Sequence, residues 1–308
     1  MPWPLTIGPV GLSAAPQVTV ARPVLGLTLY LAEPVVWASE GAAALLKAFL
    51  HRVPVGGLRW YTTSRIADWH RVDAQSLPEI NRAVSYWTLG RLRHLFQLRL
   101  ADDTGAPAYG FTYREVNEKL SPRAGYIDVS FPPDQNPQLL VELAVEAAQK
   151  WPLFCAIGGY AAAWNFFEKP SAFWQVYEWC RRYLGLDVQD PDAMAWHVSS
   201  GLPGTSWLNL IGNLLADRAR LDLRKLAAGP WKNGIEATSL PGGLLLRAGP
   251  APTLADVNQL DFPWAYAEVA RALAGCLVKE PTELWGGFYD KRATAKWMRR
   301  FLEPEGWQ

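Results

Sequence analysis

His94-Leu95-Phe96-Gln97-Leu98-Arg99-Leu100 is followed by Asp102-Asp103-Thr104-Gly105, and then by Tyr109-Gly110-Phe111-Thr112-Tyr113-Arg114-Glu115. The two outer runs are short, rich in aromatic and apolar residues, and interleaved with polar ones. The inner four are turn formers, whose short side chains and glycine accept a chain reversal. A third run, Tyr126 to Phe131, is closed by Pro132-Pro133. The spacing predicts a β-meander and so an antiparallel sheet.

Toward the N-terminus, Val24 to Ala32 and Leu58 to Thr63 read as strands, and residues 1–23, rich in Pro, Gly and small residues, as an extended lead-in. Ser39 can cap a helix running to about His51, with Ala42, Leu45, Leu46 and Phe49 on one side. Ser76 and Glu79 have capping-box spacing, and Pro78 fits the first turn of a helix to about Leu92. Toward the C-terminus, Pro137 opens a helix to about Lys150, whose polar residues Glu142, Glu146 and Gln149 share one narrow stripe, the mark of a mostly buried helix. Leu153 to Ala163 is β-compatible, and Ser171 can cap a helix to Leu184 with Gly185 at C′. Leu208 to Lys225 reads as helical, with a broken helix as the alternative. Ile235–Leu240 and Leu244–Ala248 form a hairpin around Pro241-Gly242-Gly243, and helices follow from Pro263 to Leu277 and from Asp290 to Leu302. The fold class expected is α+β, a largely antiparallel sheet packed with amphipathic helices. Residues 24–308 are read as one unit; a division near residue 150 is the alternative, since both halves have a similar order of elements without a residue-level repeat.

Of the 308 residues half are apolar and 19% charged, which suits a folded protein. The net charge of +1 offers no global field for nucleic acid or an anionic membrane. Sixteen tryptophans are an excess over the usual share of about 1% and suit cores, protein interfaces and sugar-binding surfaces alike. Cys155, Cys180 and Cys276 are odd in number and widely spaced, unlike a disulfide framework. No signal peptide and no stretch of membrane-spanning length is read, so the cytoplasm is the expected compartment.

Motifs that carry chemistry are scarce. His51, His70, His94 and His197 lack partners at metal-ligand spacing, and the cysteines form no CxxC pair. Gly242-Gly243 lies between strands rather than between strand and helix, and no Gly-Lys-Ser/Thr loop occurs. Gly201-Leu202-Pro203-Gly204-Thr205-Ser206 lacks a nucleophile elbow. The acid pairs Asp102/Asp103 and Glu280/Glu283 read as surface charge. Lys291, Arg292, Lys296, Arg299 and Arg300 read as a solvated basic face over a core stripe of Trp297 and Phe301. No catalytic residue, cofactor or metal is expected. Two surface features suit a protein partner. One is Trp264 with Glu268 and Arg271 on the polar stripe of a helix, where the indole either anchors an interface or folds back onto Phe262. The other is the loop carrying Asp187, Asp190 and Asp192, which is either a solvated loop or a negative element that enters a cationic site on a partner.

The chain resembles the type VI secretion immunity family associated with VRR-nuclease effectors, in pattern over about residues 95–302. The resemblance is carried by Gly158-Gly159-Tyr160, Tyr183-Leu184-Gly185-Leu186-Asp187, Ser206-Trp207-Leu208-Asn209, Gly242-Gly243-Leu244-Leu245-Leu246-Arg247-Ala248-Gly249-Pro250, Asp256-Val257-Asn258 and Trp297-Met298-Arg299-Arg300-Phe301. It implies an inhibitor that is not an enzyme and that binds a cognate secreted effector toxin, a DNA nuclease, with no direct contact to nucleic acid or membrane. A near-neutral chain does not suit whole-molecule mimicry of DNA, so blocking by shape or by a local acidic loop is expected. The alternative is a hydrolase or glycan-processing enzyme, with two carboxylates facing across a Trp-lined groove at roughly 5–10 Å. A third reading is a structural component of the secretion machinery.

Overall fold

The computed structural model describes residues 19–32, 39–76, 78–80, 95–116 and 121–307. Its centre is an 11-stranded sheet in the order β10-β11-β9-β7-β1-β6-β5-β4-β2-β3, with β8 beside β7. The strands are β1 (Ala21–Leu31), β2 (Trp60–Thr63), β3 (Ile66–Arg71), β4 (Leu95–Ala101), β5 (Gly110–Val116), β6 (Tyr126–Phe131), β7 (Leu153–Trp164), β8 (Asp187–Val188), β9 (Leu208–Gly212), β10 (Ile235–Leu240) and β11 (Gly243–Ala248). Every pairing is antiparallel except the short β7–β8 contact. The helices are α1 (Ser39–Leu50), α2 (Gln138–Lys150), α3 (Lys169–Arg182), α4 (Pro191–Met194), α5 (Asn213–Ala219), α6 (Leu223–Ala228), α7 (Trp264–Leu273), α8 (Lys291–Met298) and α9 (Pro304–Trp307). None of the described helices is long and apolar enough to cross a membrane. The fold is the α+β class expected, and the meander is β4-β5-β6.

Register sorts the side chains of β1, β6, β5, β4 and β2 onto two faces, because strand residues alternate. Leu27, Val129, Phe111, Leu100 and Tyr61 stand opposite one another on one face. That face is buried: Phe49 of α1 meets Phe111 at 5.5 Å and Phe131 at 5.3 Å, and α2 packs on α1 and on β1 and β7. On the other face the row is Thr28, Asp128, Thr112, Arg99 and Thr62. Farther along the sheet, α3 packs on β7 and β1, and α7 on β11.

Four departures from the sequence reading have physical causes. Leu208–Gly212 is a strand, not helix, buried on both faces between β7 and β11, and a short apolar run without alternation does not distinguish the two. The helices α5 and α6 follow it separately. The edge strand β3, Ile66-Ala67-Asp68-Trp69-His70-Arg71, is too polar to read as a strand, and charge is how exposed sheet edges are kept from pairing further. Helix α3 starts at Lys169 with Pro170 in its first turn rather than at Ser171, and it ends at Arg182. Gly185 therefore caps nothing; it is small because a Cβ there would sit 1.9 Å from the Thr253 carbonyl oxygen. Of the helix expected over 76–92, residues 78–80 are helical and the rest lies outside the described residues, as does most of the N-terminal lead-in. Cys155, Cys180 and Cys276 are free and buried.

Candidate partner-binding cleft

The polar sheet face is left open and becomes the floor of a cleft of about 130 Å³, lined among others by Arg99, Thr112, Asp128, Trp69, Trp164 and Lys169. Its wall is formed by the end of β7 and the start of α3 together with the adjoining loop from Gln189 to Asp192. Trp164 Nε1 donates to the Gln189 carbonyl oxygen at 2.6 Å and ties the two together. At the floor Thr28 donates to Asp128 at 2.6 Å. Burial is the main cause that raises the Asp128 carboxyl to about 7; the Thr28 bond and Arg99 hold it down, and Asp187 and Asp190 push it up.

The acidic loop folds inward rather than facing solvent as three free charges. Asp190 is almost wholly buried, accepts from Lys169 Nζ at 2.6 Å, and caps α4 through the Ala193 N–H. Burial raises its pKa, and Lys169 opposes that rise. Asp192 pairs with Arg114 and accepts from the Tyr126 hydroxyl at 3.0 Å. Asp187 accepts from the Val188 N–H and lies 3.8 Å from an Arg300 nitrogen; burial lifts its pKa to about 6 against the pull of Arg300. Each cation comes from a distant part of the chain, so the loop's own sequence could not reveal them. Arg300 is correspondingly not part of a solvated basic face: it is 1% exposed, donates to the Leu184 and Trp297 carbonyls, and lies over the Trp297 and Phe301 rings.

Trp264, Glu268 and Arg271 stand elsewhere, on α7. Trp264 both folds onto Phe262, with ring centroids 4.7 Å apart, and stays 62% exposed. Glu268 accepts from the Lys232 N–H and Asn233 Nδ2. With Arg271, Arg220, Lys225 and Trp231 it borders an open cavity of about 590 Å³ between α6 and α7.

What the sequence did not show is an aromatic crest beside the cleft. Phe166 and Phe167 are 49% and 62% exposed, and Trp174 and Trp285 are 55% and 51% exposed. Phe166 stacks on Trp164 at 6.3 Å and meets Phe167 at 5.7 Å. Lys169 Nζ lies 4.9 Å from the Trp164 ring and 5.9 Å from that of Trp285. Gly286, next to Trp285, runs so close to α3 that a Cβ would fall 2.7 Å from the Trp174 nitrogen, and its φ of +61° is one glycine adopts freely. Lys169 thus bridges Trp164 and Trp285, and the backbone at 285–286 runs beside Trp174, so these exposed rings gather on one side although they come from three segments. Only Phe166-Phe167 could have been noticed as an apolar pair.

A wide antiparallel sheet with one buried face, a polar cleft on the other and an aromatic crest beside it defines an α+β protein whose most distinctive surface is that cleft and crest. The chain belongs to the TsiV family, type VI immunity for VRR-NUC, whose family model matches residues 43–301. In fold it is similar to the Pseudomonas aeruginosa T6SS protein PA0821, with a TM-score of 0.75 at 19% identity over 94% of this chain and 88% of that one. No curated protein matches the sequence.

Proposed function

We propose that this protein binds a VRR-NUC effector of type VI secretion and silences it by covering its active site or the path of its DNA substrate, acting in the cytoplasm as an inhibitor rather than an enzyme. The family match over residues 43–301 carries this reading. Two surfaces are open to the effector. One is the cleft with its crest, to which Asp190 and Asp192 contribute a braced wall, with Asp187 beneath it held by Arg300. The other is the α7 surface of Trp264, Glu268 and Arg271. The test is co-expression with the VRR-NUC effector encoded beside this protein's gene. Survival of the cells, a stable complex on gel filtration and loss of DNA cleavage by the purified effector are expected. Killing that continues despite soluble protein, with no co-purification, would sink the reading.

One observation favours a hydrolase instead: the Asp128 carboxyl, raised to about 7, sits in a cleft lined by Trp69 and Trp164, as a general acid would. Its candidate partners Asp190 and Asp192 are each held by a cation. Asp128→Asn separates the readings, since an inhibitor keeps its protection and a hydrolase loses its turnover.

A further inference from the structure

We infer that the aromatic crest and the adjoining cleft are one docking surface, and that it takes a segment of the effector presenting apolar side chains beside a carboxylate. The inference rests on the immunity reading above and adds to it a place and a chemistry.

Exposed apolar residues scattered singly are ordinary on a protein surface. Four large exposed aromatics gathered on neighbouring segments, two of them in ring contact, are not, and such patches mark interaction sites. The crest also joins the cleft physically. Arg99 rises from the open sheet face, and its guanidinium lies 4.9 Å from the Phe166 ring centre, so one side chain belongs to both. Trp and Arg in a pocket that partners can dry out are the residue types that dominate binding energy.

The charges of the cleft select the partner's sign. Lys169 is closed by Asp190 and Arg114 by Asp192. Asp128, at about 7, carries only part of its charge at neutral pH. Among the described residues Arg99 forms no ion pair with a carboxylate, and neither does Arg71, which stands on the same face of the sheet over Trp60 at 5.3 Å. The open face therefore presents cations that no described carboxylate contacts directly, stacked on aromatic rings that hold them in place, and a partner's carboxylate would complement them. Single-stranded nucleic acid also uses cations and aromatic platforms. A run of phosphates needs a cationic track, however, and here three of the five basic side chains of the cleft and sheet face, Arg22, Arg114 and Lys169, already have carboxylates. A protein segment with one carboxylate among apolar side chains fits better.

The test measures binding of the full-length protein to the VRR-NUC effector encoded beside its gene, inactivated in its nuclease site, by calorimetry. Trp174→Ser combined with Trp285→Ser is expected to weaken binding by at least about 100-fold, and Arg99→Gln by about 10-fold with a flatter salt dependence. Leu214→Ser on α5, an exposed apolar residue outside both surfaces, should bind like wild type. Hydrogen exchange of the unaltered complex needs no variant, and should show protection over residues 164–174 and 285–289. Wild-type binding with crest and Arg99 variants equally tight, or protection confined to 264–271, overturns the docking surface while leaving the immunity reading intact. No binding by wild type overturns the reading itself. Binding of a single-stranded oligonucleotide that Arg99→Gln abolishes overturns the assignment to a protein partner.

Discussion

The two faces of β4, β5 and β6 are made from the same few residues of sequence and have opposite fates. Phe111, packed on α1, and Tyr113 vanish from solvent, whereas Thr112 between them lines the cleft and Arg114 stays partly exposed. The covered face is what the fold requires: apolar area removed from water at about 25 cal/mol per Å². The other face is polar: Thr28 and Thr62 on it are buried, while Thr112 and Arg99 stay partly exposed. It is kept in order by ion pairs that brace its wall, and it borders aromatic rings that the core does not use. The difference separates residues that hold the protein together from residues free to serve a partner.

The sharpest way to break this contrast is to truncate one residue on each face. Phe111→Ala removes a ring that is 1% exposed and packed on Phe49. A loss of about 3–5 kcal/mol in denaturant unfolding is expected. Its neighbour Thr112→Ala should stay within about 0.5 kcal/mol. Equal losses at the two positions would mean that the open face is also core.

The bracing of the wall is the next largest effect. Lys169→Met leaves the almost wholly buried Asp190 without its counter-ion. Removing one partner of a fully buried pair costs about 3–5 kcal/mol; here about 2 kcal/mol is expected, because Lys169 is one-fifth exposed and Asp190 can take up a proton. The double change Lys169→Met with Asp190→Asn should recover part of the loss. No recovery would show that packing, not charge, holds the loop.

These pairings also mark where sequence reading stops. The meander, the hairpin at Pro241-Gly242-Gly243 and the caps at Pro137 and Asp290 were legible because each is a local pattern: alternation, a turn, a helix start. Asp187, Asp190 and Asp192 are also local, but their meaning is not. It depends on Arg300, Lys169 and Arg114, which only the folded chain brings near. Crest residues come from 166–167, 174 and 285, and nothing in any one segment marks them as neighbours. The tryptophan excess was visible; its division into buried Trp207 and Trp297 and exposed Trp174 and Trp285 was not.

Acidity distinguishes the regions more gently. Asp128 on the open face and Asp187 behind it have folded pKa values of about 7 and about 6, above the ordinary carboxylate value of about 3.9. The folded state therefore holds protons that the unfolded chain has released. This contribution to stability is fully present below about pH 4 and is lost as pH rises through 6 and 7. Asp256 has the opposite sign: Arg182 lowers its pKa, so its contribution is present above about pH 4 and lost below it. Thermal unfolding of wild type should thus fall between pH 5 and pH 8 more than that of Asp128→Asn. Identical pH profiles would place Asp128 in full contact with solvent.

The smallest expected effect is the most diagnostic of the contrast. Trp285 and Trp174 are each about half exposed, while Trp297 is 2% exposed and lies 5.7 Å from Phe288 in the core. If the crest is separate from the fold's own energetics, Trp285→Ser and Trp174→Ser should each change stability by less than about 0.5 kcal/mol, and removing greasy surface should raise solubility. Trp297→Ser, by contrast, should cost at least about 3–5 kcal/mol. The same residue type is compared in one protein, so differences in intrinsic hydrophobicity cancel and only location remains. A loss of 2 kcal/mol or more at Trp285 would show that its contacts with α3 hold that helix in place, and would remove the main reason for assigning the exposed rings to a partner.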